Sequence, residues 1–155
     1  MDDSLVVVSV RQGKILEIDS GGRVLAEIEV PYTVADLACP VSGGVFAVLP
    51  AEGIVVRYDS NWGQIDTWEL PQNDSIPPWP VGIAVDPGGT AFVVDKHGNR
   101  VVLLDPQGAI QGFGSRGGSE PGLLRFPSGI AMFSNGQIIV LDQGNARVQI
   151  FEKSN

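Results

Sequence analysis

The chain is 155 residues long, 43% hydrophobic and 18% charged, a balance that excludes a disordered segment and allows one domain with a real core. Ten Lys and Arg against 18 Asp and Glu give a net charge of −8, which opposes non-specific attraction to nucleic-acid phosphates and anionic membranes. Twenty Gly and eleven Pro exclude a helical bundle and require many tight turns.

The first residues, "MDDSLVVVSV", start with acids and carry too short an apolar run for a secretory signal. No stretch of 18 apolar residues follows anywhere, so a soluble protein is expected, cytoplasmic if the chain is complete. Residues 4–30 predict three strands, separated by the turn signals "RQG" and "DSGG". Residues 32–70 predict four, with "AEG" and "DSNWG" as the later turns. Residues 79–113 predict four more, "GIAV", "TAFVVD", "RVVLLD" and "AIQGFG", joined by "DPGG", "KHGN" and "DPQG". Residues 126–151 predict three. Gly98, Gly108, Gly136 and Gly144 are expected at hairpin turns, at or beside a residue of positive φ. No capped segment of helical period is present.

The last two units are nearly one sentence written twice. Gly82-Ile83-Ala84 recurs as Gly129-Ile130-Ala131, Asp95 as Asp142, and Arg100 as Arg147. Four strands in about 45 residues with up-and-down connections is the pattern of a propeller blade. The fold class read from the sequence is all-β, a partial (half) β-propeller of four-stranded blades.

The stretch "FGSRGGSEPGLLRFPSGIAMFSNGQIIVLDQGNARVQIF" resembles an NHL repeat, specifically over 79–151, moderately over 32–70 and weakly over 4–30. The family's Asn-His-Leu triplet is replaced by "GNR" at 98–100 and "NAR" at 145–147, while the Asp-to-Arg spacing is kept. Asp95 and Arg100, like Asp142 and Arg147, flank a short turn, so each pair is expected to make a direct contact across its hairpin, and a bidentate pair at a partly buried site would also order the turn. The resemblance implies that these pairs fix the blade and bind no ligand.

Other motifs resolve into turns and packing. "GFGSRG", Gly112 to Gly117, has the spacing of a dinucleotide loop, but "GSEPGLLRFP" cannot supply the helix that such a loop needs. "DSNWG" lacks the later ligands of a calcium loop. His97, the only histidine, sits in a turn without neighbouring ligands, so no metal is expected. Cys39 is alone, which excludes an intrachain disulfide, and reads as a small buried side chain. Trp79 precedes a proline as Phe126 does and is assigned to packing between blades. Trp62, in a turn, and Arg116 are the candidate partner contacts.

No catalytic residue, cofactor or metal is read from this sequence. The function expected is a non-catalytic binding or scaffold module that presents loops to a protein or ligand partner. The alternatives are a fragment of a six-bladed propeller enzyme, of lyase or lactone-hydrolase type, and, as a minor one, an RNA-binding propeller. Because three and a half blades leave both end sheets uncovered, the partners expected are a second copy, forming a homodimer that completes the ring, or the remaining blades of a longer chain. Charge disfavours nucleic acid, and no membrane partner is expected.

Overall fold

The computed structural model describes residues 5–9, 13–30, 33–107, 110–114 and 117–152, with the backbone alone at 5–9 and 110. Among the described residues the β-prone runs form fourteen strands in four antiparallel sheets, each a meander in chain order. The first sheet holds β1 (Leu5–Ser9), β2 (Lys14–Ile18) and β3 (Val24–Glu29). In the second, β4 (Asp36–Ala38), β5 (Val45–Leu49), β6 (Ile54–Tyr58) and β7 (Gln64–Glu69) follow one another. The third is β8 (Pro80–Val85), β9 (Ala91–Asp95), β10 (Arg100–Leu104) and β11 (Ile110–Phe113). The fourth is β12 (Gly129–Met132), β13 (Ile138–Asp142) and β14 (Arg147–Phe151). A single 3-10 turn, Gln143–Asn145, is the only helical element among the described residues.

Aspartates set the turns. The Asp59 carboxylate accepts the backbone N–H groups of Asn61 and Gly63, so "DSNWG" is a hairpin turn between β6 and β7. Asp19 does the same for Gly21 and Arg23, and Asp86 for Thr90. Many of the scattered acids therefore replace missing backbone partners at turns. Gly44 is required at its place: φ is +82°, and a Cβ there would lie 2.4 Å from the Tyr58 carbonyl oxygen. Gly136 has φ +85° in its turn, and Gly98 stands beside left-handed Asn99. Gly144 departs from expectation, because the left-handed residue of its turn is Ala146, two positions on. Gly108 lies outside the described residues.

The sheets stack face to face. One apolar layer, with Ile15, Ala47, Leu49 and Val56, joins the first and second sheets. A second, with Phe46, Val48, Val93 and Val102, joins the second and third. A third, with Phe92, Val94, Ile138 and Val140, joins the third and fourth. None of these layers joins the fourth sheet to the first, so the described chain is an arc. Strands β5 and β9 are buried at every residue because each is covered on both faces, which explains their runs without alternation. The outer strands β3 and β7 are mostly exposed.

Candidate functional site

The turn between β9 and β10, the turn between β13 and β14, and the connectors into β8 and β12 emerge on one face of the arc. A buried carboxylate organises each half of that face. Asp95 has no exposed surface. Its Oδ1 accepts the N–H groups of Trp79 at 2.9 Å and Gly98 at 3.0 Å, and its Oδ2 accepts Arg100 Nε at 2.9 Å. Arg100 also donates to the Pro71 carbonyl, which ties the β7–β8 connector to the turn.

Asp142, equally buried, accepts Arg125 N–H at 2.7 Å on Oδ1. Its Oδ2 receives Arg147 Nε at 2.8 Å, Asn145 Nδ2 at 2.9 Å and Gln149 Nε2 at 3.1 Å. Burial by itself raises the Asp142 pKa, but the donors from Asn145, Arg125, Arg147 and Gln149 prevail and hold it below the ordinary value of 3.8. Arg147 then reaches the carbonyls of Ser119, Glu120 and Leu123. Both Asp–Arg pairs therefore meet, through Nε alone. The contacts are direct, as expected, but not bidentate, because the terminal nitrogens hold backbone carbonyls of the preceding connector. In the second sheet the same register positions are Leu49 and Ile54, an apolar pair.

The two connectors differ at one residue. In the sequence Trp79 aligns with Phe126, each before a proline. In the structure Trp79 N–H and Arg125 N–H make the equivalent bond to the buried aspartate, and Phe126 is an additional residue. Phe126 has φ +46° and an exposed ring, and its N–H donates to Asn99 Oδ1 at 2.7 Å. Left-handed backbone at a bulky side chain costs energy and is held by its surroundings. A cleft of about 420 Å³ lies alongside, lined by Asn99, Gly117, Gly118, Ser119, Arg125 and Phe126. Of the five described arginines, Arg23, Arg57, Arg100 and Arg147 are in ion pairs; Arg125 is exposed and forms none among the described residues. On the same face, Trp79 is partly exposed and stacks on His97 at 5.4 Å, and Lys96 reaches Gln143.

Several sequence expectations shift. Trp62 is half-buried: its indole donates to Glu17 at 3.0 Å and packs near Tyr58, because it joins the first two sheets. Trp79 faces solvent and His97 instead of filling a layer between blades. Cys39 is exposed, not buried, although nearby protein mass and then the Glu17 carboxylate push its thiol pKa up, which opposes a nucleophilic role. Arg116 lies outside the described residues. Asp36, unremarked in the sequence, replaces the glycine of the Gly-Ile-Ala pattern, and its carboxylate accepts the Ile83 N–H at 3.0 Å across to the next sheet. Arg125 and Phe126 were also missed, since the extra residue shows only in the hydrogen bonds. No helix follows Gly112 to Gly117 among the described residues.

The NHL repeat family profile matches residues 124–151, which span β12 to β14. The chain has a β-propeller fold and carries an NHL repeat at residues 124–151. NHL repeat-containing protein 3 of Homo sapiens is 30% identical over 77 residues, covering 48% of this chain and 22% of that protein. The match thus takes in under a quarter of the relative's length. Among solved structures, a streptogramin B lyase aligns over 98% of the chain and 52% of its own, with TM-score 0.77 and 20% identity. A putative gluconolactonase aligns over 99% of this chain and 57% of its own, with TM-score 0.75 and 15% identity. At such identities the likeness to these two shows the fold alone. No helix among the described residues is long and apolar enough to cross a membrane.

Proposed function

We propose that this chain is a non-catalytic binding module whose NHL propeller face holds a short peptide of a partner protein, a single carboxylate on Arg125 and an adjacent apolar side chain on Phe126. The observation that carries this reading is an exposed guanidinium, without an ion pair among the described residues, next to a strained, exposed aromatic ring on one cleft. Arginine's planar fork suits a carboxylate, and Arg and aromatic residues dominate the energetics of protein contacts. A net charge of −8 repels polyacidic ligands at long range, so one well-placed carboxylate is favoured over an acidic run. The carboxylates below the cleft do not suit acid–base chemistry, because Asp95 already holds three donors and Asp142 four, an arginine among them in each case.

The test uses two pooled, labelled peptide libraries, identical except for a fixed central Asp-Leu or Asn-Leu. The native chain should retain the Asp-Leu pool better, on the order of tenfold. Arg125→Gln should abolish that preference, and Phe126→Ala should weaken both pools. Equal retention of the two pools by the native chain, or an Asp preference that survives Arg125→Gln, refutes the reading. Turnover of a lactone or of a streptogramin by the native chain would replace it with the enzymatic alternative.

A further inference from the structure

The fourth sheet faces the third with one side, no described residue covers the other, and the residues on that open side are large and apolar. Leu141 is exposed, Val148 is 55% exposed and Ile150 58%. The chain itself shows what such positions do. By register against the buried aspartate and its arginine, Leu141 corresponds to Val94, and Val148 to Val101. Both valines are 0% exposed, because the fourth sheet lies over them. The open side of β12–β14 is therefore a blade face lacking its next blade. At the other end, Ile15 and Ile28 face the second sheet. By register, the opposite side of β2 and β3 carries Leu16 and Ile18 together with the Lys14–Glu27 ion pair, and a register shift after Glu17 sets exposed Val24 opposite Ile18, beside exposed Leu25.

We propose that the open face of β12–β14 packs on the open face of β1–β3 of a second copy, so that two chains close one propeller ring. Size suits this occupant: the chain aligns with 52% of the lyase chain and 57% of the gluconolactonase chain, so a second copy is about as large as the part of each that it leaves unmatched. Symmetry supports it as well. A two-fold axis along the ring axis forms both joints at once and uses up both open faces, whereas a single joint would leave sites for further addition. A three-stranded face buries several hundred Å² per partner, and two joints together reach the range of about 1,200–2,000 Å² found in stable complexes.

The decisive property is that the joint runs head to tail. Leu16→Cys and Val148→Cys are made separately in full-length chains carrying Cys39→Ser. Under mild oxidation neither variant alone should form a disulfide-linked pair, and their mixture should. Light scattering of the native chain should give twice 16.4 kDa, and Val148→Glu/Ile150→Glu should reduce that mass to one chain. Val41→Glu, at a position 98% exposed in another turn, should leave the doubled mass intact. A monodisperse native monomer overturns the proposal. So does a dimer in which each cysteine variant links to itself, since the faces would then pair head to head. A mixture that links no better than its components overturns it too, even if the double Glu variant fails to fold.

Discussion

A carboxylate without exposed surface keeps its charge only when donors replace the lost water. Asp95 and Arg100 meet that condition together: Arg100→Ala would leave a buried anion with backbone donors alone and should cost about 3–5 kcal/mol. The second sheet indicates the remedy, since Leu49 and Ile54 occupy the same register. Asp95→Leu/Arg100→Ile should therefore lie closer to the native stability than either single change, as measured by urea unfolding; a double variant worse than both singles contradicts this. Asp142 gives the pH dependence. Its folded pKa is lowered, so its contribution is present above the unfolded value near 3.8 and lost as pH falls through the folded value. The melting temperature should drop steeply below about pH 4, and Asp142→Asn should be less stable at neutral pH yet flatter across the acid range. Parallel acid limbs for the two proteins would show that other carboxylates set the transition.

At the scale of a hairpin, two left-handed residues at matching places have different reasons. Ala146 (φ +50°) closes the β13–β14 turn and uses no side chain, so Ala146→Gly should stabilise by about 0.5–1 kcal/mol. Asn99 (φ +52°) also holds the Phe126 N–H, so Asn99→Gly should destabilise despite relaxing the same backbone strain. Thermal melts of both variants check the opposite signs. The strands, their grouping as three, four, four and three, and the Asp–Arg hairpins were legible in the sequence because alternation and turn chemistry are local. The cleft was not. Trp79 and Phe126 look equivalent in sequence, and only the choice of N–H reaching the buried aspartate shows that the fourth sheet's connector has one more residue. Trp62 misled for a similar reason: its turn is exposed, but its indole reaches Glu17 on a sheet distant in the chain.

Across the whole molecule, stability should follow how many faces of a strand are covered. Strands β5 and β9 are buried throughout and β10 nearly so, with apolar layers on both sides. Strands β3 and β7 lie at the outer edges, and most of their residues meet solvent. In a stacked repeat, stability is roughly the sum of each unit and its neighbour interfaces, so the central sheets open only when the arc as a whole does. Amide exchange followed by mass spectrometry should therefore be slowest in peptides covering 45–49 and 91–104, and fastest in those covering 24–29 and 64–69. The end strand β14 is the informative case. Among the described strands its backbone pairs only with β13, and the open face beside it carries Val148 and Ile150. If a second copy covers that face, protection of 147–151 should rise with protein concentration while 91–104 stays constant. A profile for 147–151 that ignores concentration over a range spanning dissociation would mean that the face stays open, and the ring would then have to be closed by something other than this chain.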